Sequence, residues 1–508
     1  MSEIAKRPEV VRMGKRHTVF GAHRGTASVC LIALCLLLGS GHLNTFDGGS
    51  QLAQAVRFCA TGHIGANHQI DGDFAPKDFR VSTGTWYDSN DIGGTLLMLP
   101  AACASVVLGA HDPASLAQLT EYAKAGASLT FALLGGIATV FVFLALTELL
   151  GDRNRSWWWS LVFLLGTGFL AYVKGAWDVL PAATSVAVLA WIVARFLAHR
   201  DRATQAAYGA AAAVGAASLC RYTLLPFVTI GAIIVLLPAL KSVPRRHLAG
   251  ASLLLFAFVL INFAFNVLRT GVFWRPGQAA PQFPALHITW SYALGTTGMF
   301  FGLSHGLLFF APICLLAYLG AVVYIVRSSG SHRLAWIVGL GSTVAYTVAV
   351  CALHFWAQLG WGPRYLVPLF PVLFLVGVIT IERRLIPRAI GYALAALGLL
   401  TQLPLALANW HAIVVVVGKD PRVPDPIVGL WRSAIHGIIH GYGIGSAGEA
   451  RALEVPDVWW WHMVGEHAPH IVGLLVLLAG FAILIWLASS PAGVAEASRS
   501  ASGASELK

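Results

Sequence analysis

Thirteen apolar runs, separated by short polar segments, constrain this chain more than any other feature of its sequence. A helix that crosses the hydrocarbon core of a bilayer, roughly 30 Å thick, needs about 20 apolar residues. Only 11% of the 508 residues are charged and 57% are hydrophobic, whereas charged residues make up about 25% of a soluble domain. The sequence therefore predicts an all-α polytopic membrane protein with about 12–13 transmembrane helices. The runs lie near 26–44, 92–110, 126–149, 156–174, 178–197, 204–219, 223–240, 247–268, 303–326, 333–353, 364–382, 389–409 and 470–488.

Clusters of Lys and Arg between the runs predict the topology. Such clusters are retained on the cytoplasmic side when they lie in short loops, and alternation from residue 151 onward places each of them there. Two topologies remain before residue 151: twelve crossings if the run 92–110, which Pro100 interrupts, does not span, or thirteen with two arginines outside. The clusters lie at the N-terminus and at 151–156, 195–202, 241–247, 326–333 and 382–388.

The remaining features of composition agree with a membrane protein. The net charge of +11 belongs to these loops rather than to one nucleic-acid-binding face. No small-x-small cleavage site follows the first run, so that run is predicted to be an uncleaved helix. The seven cysteines are scattered and predict neither a disulfide framework nor a metal-ligand spacing.

The predicted topology divides the chain into one membrane module and its flanking segments. Three long segments fall outside the cytoplasm, and the first of them is expected to carry short interfacial helices. The predicted divisions are a cytoplasmic basic N-terminus (1–25), a transmembrane module (26–409) with outer loops 45–91 and 270–302, an outer loop (410–469), a last transmembrane helix (470–488) and a disordered tail (489–508).

The first outer loop is rich in short carboxylates. Residues 45–91 contain six aspartates and no glutamate, and short acids on a fixed backbone suit a reaction in which a base is held against a hydroxyl. Asp47 lies at the membrane surface directly after the first run, and Asp88 and Asp91 lie where the chain returns to the membrane. In the alternative interpretation, Asp47 only caps a helix and the other two are turn and helix-start residues.

Two arginines, opposite in charge to the aspartates of the first outer loop, are predicted to lie at the outer membrane face. Arg221 and Arg364 are each flanked by apolar runs, where an arginine is costly and indicates a functional site. The guanidinium fork suits bidentate binding of phosphate oxygens, so acids and arginines at one level suit displacement of a lipid phosphate by a hydroxyl. The alternative is that both arginines snorkel to the interface.

A shorter outer turn adds three more candidates. Lys174, Trp177 and Asp178 in "YVKGAWD" are of types that contact sugars. The alternative is an interfacial anchor, which is a common use of Trp at this depth.

Five sequence segments, taken in order, resemble the GT-C superfamily of polyprenyl-phosphate-sugar-dependent glycosyltransferases. The similarity is to the branch that contains the protein O-mannosyltransferases and the lipid A aminoarabinose transferase, and it extends over roughly residues 26–410. "WGPRYLVPLFPVLF" is similar to the most specific signature of the family, "G-P-R-Y-L-x-P-x-x-P". The other segments are "TFDGG" (45–49), "WYDSNDIGGTLLMLPAA" (86–102), "RYTLLPF" (221–227) and "LSHGLLFFAPI" (303–313).

The resemblance implies an integral membrane enzyme of the bacterial inner membrane, with its active site on the extracytoplasmic side. Such an enzyme moves a sugar from a polyprenyl-phosphate donor to a hydroxyl of a glycan, lipid or protein, with inversion and without a nucleotide. No cofactor is required, although a divalent cation is compatible with the aspartates, and the segment 410–469 is the candidate for acceptor recognition. By position, the base is Asp47, the secondary acids are Asp88, Asp91 and Asp178, the phosphate ligands are Arg364 and Arg221, and weaker candidates are Lys174, His305 and Tyr365.

Two other classes of protein remain open from the sequence. A secondary transporter predicts an internal repeat with broken helices at matching positions, and the two halves of this chain show none. A membrane acyl- or phosphotransferase predicts a His–Asp pair, and His354, the nearest candidate, has no acid beside it.

Overall fold

The predicted all-α membrane architecture is confirmed. A computed structural model describes residues 20–43, 45–65, 78–80, 85–88, 90–113, 118–199, 202–273, 297–302, 306–352 and 362–406, with a few isolated positions elsewhere. The elements of the first half are α1 (Phe20–Leu38), α2 (Phe46–Thr61), β1 (Asp78–Arg80), β2 (Trp86–Asp88), α3 (Ile92–Val107), α4 (Glu121–Leu150), α5 (Arg153–Leu165), α6 (Phe169–Lys174), α7 (Val179–Ala198), α8 (Ala203–Cys220), α9 (Leu225–Leu240) and α10 (Arg245–Thr270). The later helices are Leu307–Phe310, Pro312–Arg327, Gly330–Ala352, Phe370–Glu382 and Arg388–Gln402, with 3-10 turns at Tyr222–Leu224, Arg364–Leu369 and Leu403–Ala406.

The membrane-spanning helices follow the predicted apolar runs. Within the described ranges, five helices are long and apolar enough to cross a bilayer. The predicted last span, 470–488, and the loop 410–469 lie almost wholly outside those ranges, so both stay predictions. The five are Glu121–Leu150, Val179–Ala198, Arg245–Thr270, Arg364–Glu382 and Arg388–Ala406.

The predicted span 156–174 is interrupted. Helix α5 ends at Leu165, and α6 begins at Phe169 after a turn in which the Gly168 amide donates to the Phe310 carbonyl at 2.6 Å. The break lets α6 end at Lys174, directly before the turn that carries Trp177 and Asp178.

The segment predicted as the first outer loop begins as a regular helix. Thr45 is the N-cap of α2, and its hydroxyl accepts the Gly48 amide at 3.1 Å. The capping interpretation of Asp47 is therefore wrong: Thr45 caps the helix, while Asp47 lies in its first turn with only 1% of its surface exposed. Gly62, with φ +77, ends the helix in the left-handed conformation that glycine adopts most readily.

A disulfide bond between Cys59 and Cys103 joins α2 to α3, with the two Cα atoms 5.1 Å apart. The scattered cysteines predict no disulfide framework, and this bond is not visible in their pattern because the two cysteines are 44 residues apart and one lies within an apolar helix. Helix α3 has 16 residues and is about 24 Å long, shorter than a hydrocarbon core. This length agrees with the topology in which the run 92–110 does not span.

We expect loss of the Cys59–Cys103 bond to destabilise the protein by about 2–4 kcal/mol, because the bond closes a long loop in the unfolded chain. The measurement is thermal unfolding in detergent of a Cys59→Ser, Cys103→Ser double variant. Cys30, which is buried and unbonded, gives the control variant Cys30→Ala. Equal melting of the double variant and the wild type would contradict the prediction.

Candidate active site

Four charged side chains from distant parts of the chain meet in one buried cluster. A guanidinium Nη2 of Arg364 donates to Asp47 Oδ2 at 2.5 Å and lies 3.8 Å from Asp178 Oδ1. Arg221 Nη2 lies 3.3 Å from Asp178 Oδ2. The four side chains are between 1% and 8% exposed. Asp178 therefore bridges the two arginines, and the four residues are hereafter called the charged cluster.

Each member of the charged cluster lies at the end of a helix. Asp47 is in the first turn of α2, and Asp178 is the N-cap position of α7. Arg221 directly follows the last residue of α8, and Arg364 begins the 3-10 turn that leads into the helix Phe370–Glu382. Helix ends leave backbone groups unpaired, so a site built from them combines fixed side chains with polar backbone.

The turn before Arg364 depends on glycine. Gly362 has φ +64, a conformation unfavourable for residues that carry a Cβ atom, and a Cβ there would lie 2.6 Å from the Phe310 ring. Pro363 follows and fixes the chain direction into the 3-10 turn. The Gly-Pro pair of the sequence signature therefore aims Arg364 into the charged cluster.

Aromatic rings cover both arginines. The Arg364 guanidinium carbon lies 3.5 Å from the centroid of the Trp177 ring, and that of Arg221 lies 4.7 Å from the Tyr365 ring. Tyr346 donates its hydroxyl to the Tyr365 carbonyl at 3.0 Å. Trp177 is only 4% exposed, so the interpretation of this residue as an interfacial anchor is wrong. The rings attract the cations and exclude water from them.

The arginines keep hydrogen-bonding capacity inside the charged cluster. The Nε atoms of Arg221 and Arg364 are buried and have no hydrogen-bond partner among the described residues. Burial by itself lowers the pKa of Arg221 and is the largest single influence, but Asp178 together with the nearby Tyr346, Tyr365 and Asp91 outweighs it, so the pKa is raised and the guanidinium stays charged. Two positive groups with unused N–H donors thus face two carboxylates, which suits an anionic ligand with several oxygens.

A second buried ion pair lies beside the charged cluster. Arg269, at the end of α10, is fully buried; it donates to Asp91 Oδ1 at 3.0 Å and to the Asn90 carbonyl at 2.5 Å. Asn266 Oδ1 accepts from the same guanidinium. Asp91 Oδ2 in turn accepts the backbone amide of Tyr222 at 2.9 Å, so the pair anchors the turn that follows Arg221.

Burial raises the pKa of Asp91, while the charge of Arg269 and the bond from Tyr222 oppose that shift. Asp91 was predicted as a secondary acid; its carboxylate is here engaged on both oxygens. Arg269 was missed from the sequence, because an arginine in the last turn of a helix is also a common surface residue.

We expect Arg269→Ala to destabilise the protein by about 3–5 kcal/mol, because it leaves the buried Asp91 carboxylate without its cation. Adding Asp91→Asn to Arg269→Ala is expected to restore part of the loss, since the uncompensated charge is then gone. Thermal unfolding of the two single variants and the double variant measures the coupling. Strictly additive effects of the two substitutions would contradict this account of the pair.

The remaining predicted residues lie outside the charged cluster or outside the described residues. Asp88 accepts from Ser50 Oγ at 3.2 Å and from the Asn90 amide at 3.1 Å, which is the geometry of a turn residue that ties β2 to α2. Lys174 is fully buried and donates to the Leu405 carbonyl at 3.2 Å. Two histidines fall outside the described residues: the weak candidate His305, and His354, the candidate of the acyl- or phosphotransferase alternative.

The described parts of the chain contain no group of three or more His, Cys, Asp or Glu side chains arranged to hold a metal ion. A divalent cation, with which the aspartates of the first outer loop are compatible, therefore has no candidate site in those parts.

The fold and the site together define a predominantly helical polytopic membrane protein with a buried carboxylate–guanidinium cluster. No protein-family model matches the chain, and no curated protein matches it. Two solved structures are similar to it: ArnT from Cupriavidus metallidurans in the apo state, and the same protein bound to undecaprenyl phosphate. Each is 14% identical and covers 88% of this chain and 77% of the ArnT chain, with TM-scores of 0.45 and 0.42. A likeness at this level concerns the fold, and the residue assignments rest on the contacts within this chain.

Proposed function

We propose that this protein is an integral membrane glycosyltransferase that moves a sugar from a polyprenyl-phosphate donor to a hydroxyl acceptor at the extracytoplasmic face, with inversion. The observation that carries the proposal is the contact between Asp47 and Arg364, which are 317 positions apart in the sequence. A buried acid beside two buried arginines joins the two elements that such a transfer needs, a base for the hydroxyl and cations for a phosphate leaving group.

The reaction is a single displacement at the anomeric carbon. The acceptor oxygen forms a bond to that carbon while the bond from the carbon to the phosphate oxygen breaks, and the electron pair of that bond passes to the phosphate. Asp47 takes the proton of the acceptor hydroxyl. The polyprenyl phosphate leaves with one additional negative charge, which Arg364 and Arg221 stabilise. Attack from the face opposite the leaving group inverts the anomeric configuration.

The existing ion pairs determine how the donor binds. Arg364 contacts Asp47 and Asp178 through the same nitrogen, Nη2, so its other N–H groups can turn toward phosphate oxygens. A phosphate that draws Arg364 toward itself weakens the contact with Asp47. Donor binding then loosens the tie between Arg364 and the Asp47 carboxylate, so the base and the leaving group are coupled through this arginine.

The proposed side of the membrane is supported by two features. The Cys59–Cys103 bond lies on α2, the helix that carries Asp47, and disulfides persist in oxidising compartments outside the cytoplasm. Arg364 and Glu382 stand at the two ends of one 19-residue span, and Glu382 pairs with Arg155 and Arg388. Basic residues at that end are expected on the cytoplasmic side.

The test is turnover of radiolabelled polyprenyl-phosphate sugars by the purified protein in proteoliposomes. Undecaprenyl phosphate is the lipid of choice, because ArnT, which is similar in fold, was solved with it bound. The proposal expects release of undecaprenyl phosphate together with transfer of the label to acceptors in a cell-envelope extract. Movement of an intact sugar or lipid across the membrane without cleavage of the phosphate ester would instead indicate a transporter.

A further inference from the structure

Helix α2 carries a line of buried polar side chains that begins at Asp47. Ser50, Gln51 and Gln54 follow Asp47 at intervals of three, four and seven residues, which places the four on one face of the helix. All four are 0–2% exposed. An amphipathic helix packed against its neighbours normally buries apolar residues at these positions. These four residues are called the polar stripe.

Three members of the polar stripe have partners within the protein. Asp47 accepts from Arg364, Ser50 donates to Asp88 Oδ1, and Gln54 Oε1 accepts from Thr95 Oγ1 at 3.0 Å. Within the described part of the chain, Gln51 differs because its amide nitrogen and its amide oxygen both lack a hydrogen-bond partner, whereas in Gln54 only the nitrogen does. A buried amide that forms no hydrogen bond destabilises a fold relative to an apolar side chain of the same shape.

The Gln51 amide is held against α3. A Cβ atom placed on Gly94 would overlap the Oε1, Cδ and Nε2 atoms of Gln51, so only glycine leaves room for the amide there. The neighbouring Gly93 approaches the backbone of Leu219 in the same manner. The chain therefore makes room for an amide that nothing in the described structure satisfies.

We propose that the Gln51 carboxamide binds a hydroxyl group of a carbohydrate beside Asp47. An amide offers both a donor and an acceptor, and a sugar hydroxyl needs both. Cβ atoms one helical turn apart are separated by about 5–6 Å, a distance on the scale of one monosaccharide. A sugar whose reacting centre lies at Asp47 thus brings a second hydroxyl to Gln51. The inference rests on the proposed glycosyltransferase function and assigns a subsite to it.

The matched pair Gln51→Met and Gln54→Met tests the assignment, because both remove a buried amide from the same face of one helix. Gln51→Met is expected to keep or raise the melting temperature and to lower kcat/KM about tenfold, the effect of one lost hydrogen bond. Gln54→Met is expected to lower the melting temperature, since Thr95 loses its acceptor, and to leave kcat/KM of the folded protein within about twofold. Binding of undecaprenyl phosphate, which has no sugar, should be unchanged in Gln51→Met.

Two reactions distinguish the sources of the hydroxyl. Release of the sugar to water, without an acceptor, falls in Gln51→Met if the hydroxyl belongs to the donor sugar. Transfer to acceptors in a cell-envelope extract falls, with release to water unchanged, if the hydroxyl belongs to the acceptor. Either result supports the proposal.

Three results would overturn the subsite. One is Gln51→Met with wild-type rates in both reactions, and another is Gln51→Met with a melting temperature lowered in step with its activity. The third concerns Gly94→Ala, which keeps Gln51 but removes the space for its amide and is therefore expected to lower the same rate as Gln51→Met. A Gly94→Ala variant in which that rate is unchanged would overturn the subsite. A wild-type protein that cleaves no polyprenyl-phosphate sugar defeats the proposed function itself and the subsite with it; wild-type turnover with an unaffected Gln51→Met defeats the subsite alone.

Discussion

Asp47→Asn is expected to reduce turnover of a polyprenyl-phosphate sugar by about 10³-fold, because general-base catalysis contributes about 10² to 10⁴. The asparagine keeps an oxygen that can accept from Arg364, and Asp178 also remains beside that arginine. The charged cluster is therefore expected to stay folded and to bind undecaprenyl phosphate. The loss should appear in kcat, measured by release of undecaprenyl phosphate in proteoliposomes.

A second ion pair on the same helix gives the control for this variant. Arg57 of α2 donates to Asp112 at 2.8 Å, and Asp112→Asn removes a paired carboxylate outside the charged cluster. Turnover by this control is expected to match the wild type. If Asp47→Asn retained wild-type turnover, Asp47 would not be the base and the mechanism would be wrong.

Arg364→Lys is expected to weaken binding of undecaprenyl phosphate about 10- to 100-fold, although it preserves the positive charge. A lysine ammonium cannot bind phosphate bidentately or hold Asp47 and the Trp177 ring at once in the same geometry. Lost hydrogen bonds to a charged group cost about 1.5–3 kcal/mol, which converts to that range of affinity. The measurement is saturation binding of labelled undecaprenyl phosphate in nanodiscs.

Arg57→Lys is the matched control for Arg364→Lys, because Arg57 is also a buried, paired arginine. It is expected to lose stability but to keep its affinity for the lipid. Equal loss of affinity in both variants would mean that Arg364 acts through folding rather than through the phosphate.

Three of the four members of the charged cluster are predicted from the sequence as principal or phosphate-binding candidates, and Asp178 is predicted as a secondary one. Asp47, Arg221 and Arg364 stand out because charged residues are costly at the ends of apolar runs and therefore rare there. Their meeting point depends on helices that are more than a hundred residues apart, and no local pattern encodes it. The Gly-Pro pair before Arg364 is a local sequence signal for a shaped turn. In the structure this turn requires the positive φ of Gly362 and its close contact with the Phe310 ring.

The sequence gives little signal for residues whose role depends on a contact with a distant residue. Arg269 resembles an ordinary residue at a helix end, and Cys59 resembles an isolated thiol. Gln51 differs from these residues, because it is notable for a buried amide that forms no hydrogen bond within the described residues. Its spacing of four from Asp47 was visible in the sequence, since a polar line on an otherwise packed helix is a detectable pattern.

The helix boundaries were predictable to within several residues, but the helix breaks were not. Hydropathy reports only that a segment is apolar. The turn at 166–168 lies inside one continuous apolar run, and the hydrogen bond made there, from the Gly168 amide to the Phe310 carbonyl, joins residues that are far apart in the sequence. The 16-residue helix α2 is not among the predicted membrane spans, because it is short and polar on one face.

The most direct test is a cryo-electron microscopy structure of the protein in nanodiscs with undecaprenyl phosphate. The phosphate oxygens are predicted to lie within hydrogen-bonding distance of both Arg364 and Arg221, with Asp47 on the side of the phosphate from which an acceptor approaches. A phosphate bound elsewhere, with the contact between Arg364 and Asp47 unchanged, would contradict the assignment of the charged cluster as the donor site.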